Sequence, residues 1–590
     1  MARDAALRGL RVALVERLDW AAGTSSRSSK LIHGGVRYLE QGDVGLVREA
    51  AMERSVLRRL APHLALPVRM VMPTYGRAGH AKLGLGLWTF EHIATVAPEE
   101  QHAMWSREEA LAREPTLDGT RLHGAATFIE YQTCDARLVL ETVLGAHAAG
   151  ALCVNHVEAI EIAGGEVALR DTLTSRTLQA RSGVVVNAAG PWVDEVRRRA
   201  GALAGVRLHL TRGIHLVVPH TRLPVRHIVV MQARDRRSAF AVPRGEVTYL
   251  GTTDTDHGPP TDHPAVPGED ADYLLDAANR TFAGPPLARA DVVAAWAGLR
   301  PLLHEEGKRP SEISRKDEIM VSDTGLVSIA GGKLTTHRRM AERVVDLVVE
   351  RLGRAAGACR TASVPLPNGG LAPEELPRLV ERVRARLPQL AAGGAERLVA
   401  LHGAGAERIL ARALASPAAG EVLPGGILRA EIAHTLDEEM ALTLEDLLER
   451  RTRLLLFDPS QGLACAAAVA DMAAVRLGWD GARTAAELDC LRAIAGLHYV
   501  VTLEAADLRH QHAHRHVVLD HEDAPTTARR SAAQLVAGGA KPTRRDSRAE
   551  RFGLRIRITR LSPPSITLAR SQPSAPASCR TFTTVTPSAT

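Results

Sequence analysis

Nothing narrows the choice of fold as much as residues 11–40. Residues 2–9 read as the end of a helix with Gly9 as its C-terminal cap, and residues 11–15 (RVALV) read as a buried-type strand that ends at Glu16. In a dinucleotide-binding βαβ unit, an acid at the end of the second strand accepts hydrogen bonds from the adenosine ribose, about 20 residues after the glycine loop. Alone, a carboxylate after a strand is a common feature. Residues 23–40 (GTSSRSSKLIHGGVRYLE) are then too dense in small polar residues to form a core element. Their hydroxyls and open backbone N–H groups suit a phosphate or a flavin oxygen, their glycines allow close approach, and Arg37 offers a fork of donors to an anion. Composition by itself fits a Ser/Gly-rich surface loop equally well.

The charge of the chain is unevenly placed. The 590 residues carry 74 Lys plus Arg against 67 Asp plus Glu, a formal charge of +7. Residues 501–590 hold 14 of the basic and 7 of the acidic residues, and subtracting these from the totals leaves 60 of each, so the first 500 are neutral. That tail has a histidine patch (His510, His512, His514, His516, His521), then Arg-rich and Ser/Thr/Pro-rich sequence. It cannot bury enough apolar surface to offset its ordering entropy, so a disordered tail is expected. A metal tract and a nucleic-acid contact are the alternative readings. Only one aromatic, Phe552, lies among the arginines and no recognisable module adjoins them, so neither a metal nor nucleic acid is expected as a partner.

Length predicts more than one domain, and a 45% hydrophobic composition fits a folded soluble body. The six cysteines lack disulfide-scaffold or zinc-site spacing, which fits a reducing cytoplasm. No run of 18 apolar residues exists and charges interrupt the N-terminus, so neither a membrane span nor a secretory signal is expected.

Eight segments, in order, carry a resemblance: GTSSRSSKLIHGGVRYLEQGDVGLVREA, EYQTCDARLVLET, VVNAAGPWVDEV, TRGIHLVVP, YLGTTDTD, AWAGLRPLL, SRKDEIM and VSIAGGKLTTHRRMAE. Together they resemble the FAD-dependent glycerol-3-phosphate dehydrogenase family, from residue 2 to about 490. The resemblance implies an α/β fold: an FAD-binding dinucleotide fold of the glutathione-reductase/amino-acid-oxidase type, an antiparallel substrate sheet and a C-terminal helical domain. It divides the chain into a first part of the FAD-binding domain (1–75), mixed segments (76–200), a substrate domain (201–320), the last part of the FAD-binding domain (321–355), the helical domain (360–496) and the basic tail (497–590). The reaction implied is oxidation of sn-glycerol 3-phosphate to dihydroxyacetone phosphate at FAD, with electrons passed to a membrane quinone.

By the family pattern, the cofactor-binding residues are Glu16, Thr24, Ser25, Ser29, Lys30, Leu31, His33, Gly34, Ala189, Gly190, Gly332, Lys333, Leu334 and Thr335. Residues 184–193 suit a buried strand running into a small-residue turn, and residues 329–338 suit the start of a helix reaching about Leu352, whose N-terminus faces the flavin. Arg37, Tyr38, His215, Arg300 and Lys333 are the substrate-binding candidates, with His215, Arg300 and Lys333 catalytic. His215 is the expected proton acceptor, because a neutral imidazole has a pKa near working pH. Lys333 suits stabilising the alkoxide or reduced flavin. A satisfied histidine at a strand edge is the alternative for His215.

Residues 81–97 (AKLGLGLWTFEHIATVA) could be an interfacial anchor on the inner membrane surface or a core helix. Helices are expected at 374–387, 394–402 and 429–448, with Arg450 and Arg451 on a solvated or salt-bridged face. A homodimer is compatible with the family. Two departures from the family stand out. No first strand and glycine loop precede residue 11, from which an upstream extension of about 20–30 residues is expected. The resemblance also fades near residues 489–496, as a shifted reading frame would produce. A non-catalytic remnant and a related FAD amino-acid or amine oxidase are therefore the alternative functions.

Overall fold

The computed structural model describes residues 1–33, 43–205, 207–259, 261–304 and 317–499, with side chains as far as 496. The expectations for Gly34, Arg37 and Tyr38 lie outside the described residues, as does the expected tail from residue 500 on, whereas its first residues, 497–499, belong to the helix Gly481–Tyr499 rather than to a disordered segment.

A ten-stranded sheet forms the largest unit. Its strand Leu208–Pro219 lies between Val247–Gly251 and Ala294–Leu303, antiparallel to both. Both faces of this strand are covered, which explains its nearly unbroken apolar run LVV after His215. Ile214, Leu216 and Val218 pack with Leu274, Leu275 and Ala278 of the helix Gly268–Thr281. Val217, Tyr249 and Trp296 pack on the other side with Leu456 and Phe457 from the C-terminal region. The expected antiparallel sheet is present, with one parallel join between Ile228–Gln232 and Leu66–Thr74.

Two short parallel pairings flank it. Ala13–Val15 pairs with Leu152–Val154, and Val186–Asn187 pairs with Val327–Gly331, which Asp317–Val321 extends antiparallel. The helix Asp135–Ala148 packs Leu140, Val143 and Ala146 against Ala6 and Cys153. Ile329 and Ala330, expected in a helix, belong instead to the strand Val327–Gly331. Gly331 and Gly332 both have φ of 76°, and such a left-handed pair ends the strand in a turn before the helix His337–Leu352 begins.

The C-terminal region is helical, with Glu375–Arg386, Gly394–His402, Arg429–Glu438 and Ala466–Leu477 among its elements. The single helix expected over 429–448 stops at Glu438. Local capping wins there over apolar periodicity: Met440 is left-handed, and Asp446 accepts hydrogen bonds from the N–H groups of Leu442 and Thr443 at 2.8 and 3.1 Å. Arg450 and Arg451 lie in the following one-turn π-helix Asp446–Arg451 and are buried, which corrects the solvated alternative and keeps the ion-paired one. No helix among the described residues is long and apolar enough to cross a membrane.

Candidate active site

The middle of the large sheet is the floor of the site. His215 is cross-strand neighbour to Gly251 on one side and Trp296 on the other. The imidazole stacks on the Trp296 indole, centroids 4.8 Å apart and planes 12° from parallel. Gly251 is required by this stacking, because a Cβ there would lie 2.0 Å from His215 Cδ2. Nε2 of His215 is 2.9 Å from Ser29 Oγ, and the buried Nδ1 has no hydrogen-bond partner. Burial, reinforced by the charges of Lys30 and Arg300, holds the imidazole pKa well below its ordinary 6.5. The ring is therefore neutral at physiological pH, which corrects the expectation of a pKa near working pH: burial beside two cations makes this imidazole a weaker base than a free one.

Arg300 is on the strand Ala294–Leu303, and its guanidinium folds over Gly213, where a Cβ would meet Nη2 at 2.3 Å. Nη1 donates to Asp254 Oδ1 at 3.0 Å, and Nη2 to Thr252 Oγ1 and the Thr253 carbonyl, both at 3.0 Å. Sequence reasoning placed His215 and Arg300 in one site; the register sets them four positions apart on neighbouring strands, His215 opposite Trp296 and Arg300 opposite Thr211, with the guanidinium over the intervening Gly213.

The small-residue loop closes over this floor. Thr24 and Ser25 start a single 3-10 turn, Thr24 Oγ1 donating to the Leu299 carbonyl at 2.6 Å. Backbone contact is close on both sides: a Cβ at Gly298 would meet the Arg27 carbonyl at 2.6 Å, and one at Gly23 the Trp192 ring at 2.9 Å. Leu31 and Ile32 then pair with Gln132 and Tyr131. The His33 ring lies 5.8 Å from that of Phe240, and its carbonyl accepts from Thr335 Oγ1 at 3.3 Å. That bond joins the loop to the turn carrying Gly332, Lys333, Leu334 and Thr335. The turn is braced by His337, whose pKa burial pushes down to about 4 and whose neutral Nδ1–H donates to the Leu334 carbonyl at 2.8 Å.

Ala189 and Gly190 follow the strand Val186–Asn187; Gly190 has φ of 56° and open space where a Cβ would stand. Glu16 lies at the end of the strand Ala13–Val15, its Oε1 accepting from Leu18 N at 2.9 Å. Burial raises its carboxyl pKa above the ordinary value, although the Leu18 N–H and Arg17 oppose the rise.

The profile for FAD-dependent oxidoreductases matches residues 1–347, and that for the C-terminal domain of alpha-glycerophosphate oxidase matches residues 359–484. The chain is 39% identical over 497 residues to the aerobic glycerol-3-phosphate dehydrogenase of Bacillus subtilis (strain 168), covering 81% of this chain and 89% of that one. The chain belongs to the FAD-dependent glycerol-3-phosphate dehydrogenase family. A relative of the same description from Staphylococcus aureus (strain USA300) is 41% identical over 382 residues, covering 62% of this chain and 69% of its own. The solved glycerol-3-phosphate dehydrogenase of Bacillus halodurans, complexed with FAD, superposes with a TM-score of 0.71 at 34% identity, covering 84% of this chain and 92% of that one. The expected fold class, an FAD-binding α/β fold with a C-terminal helical domain, is thereby borne out.

FAD is the cofactor of this family, and the residues present fit it on their own chemistry. The Ser/Thr loop and the double-glycine turn are brought together by the Thr335–His33 hydrogen bond, Gly190 leaves its Cβ direction open for close approach, and Glu16 is a partly desolvated carboxyl at a strand end.

Several residues of the site went unassigned from sequence. Trp296 and Asp135 lie inside quoted family segments, yet nothing in their spacing says that one stacks on His215 and the other holds Ser28 and Lys30. Lys30, expected at the cofactor, points its Nζ inward to the Ser26 carbonyl at 2.6 Å and to Asp135 at 3.3 Å. Burial and the charge of Arg453 lower its pKa to about 7 against the opposing pull of Asp135.

Proposed function

We propose that this chain oxidises sn-glycerol 3-phosphate to dihydroxyacetone phosphate, with FAD as the hydride acceptor. The observation that carries the reading is a neutral, buried His215 beside the guanidinium of Arg300. The C2 hydroxyl must give up its proton to a base while the hydrogen on C2 leaves as hydride with the C–H electron pair for FAD, and the former O–H pair becomes the second bond of C2=O as that hydride departs. A neutral imidazole has one lone pair for that proton. With Nε2–H donating to Ser29 Oγ, the lone pair is on Nδ1, the nitrogen without a partner. Arg300, with Arg37 as a second cation, holds the substrate phosphate by charge-assisted hydrogen bonds. FAD supplies the oxidising power, and Glu16, the Ser/Thr loop and the turn 332–335 are the residues that hold it. Lys333, at the start of that turn, stabilises the charge that builds on the substrate oxygen or the reduced ring.

The electrons pass to a quinone at the membrane surface, on the cytoplasmic side. The feature that supports this is the helix Arg77–Ala94, where Leu85 is 65% and Trp88 52% exposed while Leu87 and Phe90 pack inward. An exposed Leu–Trp pair on one helix face suits the lipid interface. Leu87 therefore belongs to the core, and the informative variant is Leu85→Glu/Trp88→Glu. Wild type is expected to float with anionic vesicles and the variant to stay with the soluble fraction; equal partitioning removes the membrane reading.

The central test is a flavin spectrum after FAD addition, followed by glycerol 3-phosphate without oxygen. Bleaching of the bound flavin is the expected outcome. Bound flavin that glycerol 3-phosphate leaves oxidised, but an amino acid or amine bleaches, favours the related oxidases. Failure to bind flavin favours a non-catalytic remnant.

A further inference from the structure

Among the described residues His215 makes one side-chain hydrogen bond, through Nε2 to Ser29 Oγ on the small-residue loop. The position of Ser29 is therefore part of the position of the imidazole. The main chain around Ser29 is held from several directions. Tyr249 donates to the Ser29 carbonyl at 3.0 Å. Lys30, left-handed at φ 56°, folds back so that its ammonium meets the Ser26 carbonyl and Asp135. Ser28 Oγ donates to Asp135 at 2.7 Å and accepts from Lys30 N at 2.9 Å.

The remaining support comes from the C-terminal region. Arg453 Nη2 donates to the Ser26 carbonyl at 3.2 Å and lies 3.5 Å from Asp135 Oδ1. Arg453 is almost fully buried, its backbone is left-handed at φ 68°, and its Nε and Nη1 have no hydrogen-bond partner. Two cations thus share one buried carboxylate, and one of them leaves two donors unused. Packing alone would favour an apolar side chain at such a place, since a buried ion cluster is costly and gives little net stability. What an arginine adds here is a rigid donor reaching from one domain to a loop carbonyl of another.

We propose that Arg453 is a positioning residue for His215, fixing the Ser26–Lys30 segment so that Ser29 meets the imidazole. The proposal rests on the reading of His215 as proton acceptor only for its catalytic consequence. The contact itself is testable apart from it.

The experiment compares FAD-loaded wild type with R453Q, R453K, S29A and the R453Q/S29A double variant. Arg453→Gln leaves Lys30 and Asp135 as a one-to-one pair, so it strands no buried charge. Two quantities are read: the 13C resonance of the labelled His215 ring, assigned by its loss in H215N, and the rate of flavin bleaching by glycerol 3-phosphate in a single turnover. Arg453→Gln is expected to move the His215 resonance toward its position in S29A and to slow bleaching by about tenfold to a hundredfold, the range for a misplacement near 1 Å, at unchanged flavin content. The double variant should be no slower than S29A, because both changes act through one contact. Arg453→Lys keeps the charge but a single donor centre, so its resonance should lie between those of wild type and S29A, a result that stands in for R453Q if that variant does not fold. A wild-type His215 resonance in R453Q or R453K overturns the proposal, as do additive losses in the double variant. If H215N bleaches at the wild-type rate, the proton-acceptor reading fails while the resonance still decides the positioning contact.

Discussion

The interior of the large sheet and the seam between the C-terminal helices and the rest of the chain are buried to a similar degree by opposite means. Beneath the sheet, Ile214, Leu216, Val218, Val229, Met231 and Leu250 pack in one apolar cluster with the helix Gly268–Thr281. At the seam, Asp19 takes Arg450 at 2.7 Å and Arg451 at 2.7 and 2.9 Å, His156 meets Asp446 at 3.1 Å, and Arg137 forks onto Glu439 at 2.6 and 2.8 Å. The apolar interior stabilises by area, at about 1.5–3 kcal/mol for each large side chain fully buried, and tolerates changes of shape. The seam gains little net energy from its ions, because desolvation offsets attraction, but it admits only one arrangement of partners. Glu439 illustrates the balance: burial alone would raise its pKa, yet Arg137 and His402 hold it well below the ordinary carboxylate range. His402, His434 and Glu439, and likewise Asp19, His156 and Asp446, have metal-ligating atoms within 4.8 Å of one another. Both sets are threaded by arginines that already neutralise the carboxylates, so they act as ion networks rather than as the metal sites their residue types suggest.

The comparison breaks most visibly at Arg137. Its replacement by Met strands Glu439 and Glu141 in the interior, and a loss of about 3–5 kcal/mol is expected. A thermal melt should fall by on the order of 10 °C, with R137K giving little rescue because a single ammonium cannot reproduce the fork. Ile214→Val in the sheet should cost only about 1 kcal/mol, and equal losses at the two sites would erase the distinction.

A smaller effect on stability, and a larger one on rate, is expected where the sheet becomes the site. Gly251→Ala puts a methyl group into the imidazole, so kcat should fall about a hundredfold while the protein still binds flavin. Unchanged turnover would show that the ring has room to move.

Protonation sharpens the contrast further. The unfolded chain protonates His215 near 6.5 and the folded chain only well below it, so this residue contributes stability present above pH 6.5 and lost as pH falls below it. The Tm of wild type minus that of H215N should therefore shrink between pH 7 and pH 5. A constant difference would mean the folded imidazole titrates normally. At the foot of the scale, Arg384→Ala removes an exposed pair with Glu381 and Glu396, and no measurable Tm change is expected. A clear drop there would extend the seam's behaviour to the surface.

Much of the site was legible in the sequence because its chemistry is local. The Ser/Thr loop, the double glycine at 331–332 and the turn at Ala189–Gly190 stand out by residue type as turns and loops, their roles came from the family resemblance, and the structure joins the first two through Thr335 and His33. The helix at 77–94 was legible as apolar, but not which of Leu85 and Leu87 faces out, since that depends on what covers the helix. The break after Glu438 was hidden by apolar periodicity, because the Asp446 cap acts only once the chain has turned.

Arg450 and Arg451 mark the boundary. The sequence by itself determined that a charged pair follows LEDLLE and that a loop dense in small polar residues follows the first strand, and by resemblance it pointed to His215 and to a cofactor at that loop. Tertiary structure alone decided that both arginines are buried on Asp19, more than 400 residues away, that His215 is neutral against Trp296, and that Arg453 reaches the loop. The physical reason is that backbone preference and residue chemistry act over a few positions. Burial, ionisation and the direction of a hydrogen bond are instead set by partners that only the folded chain brings within reach.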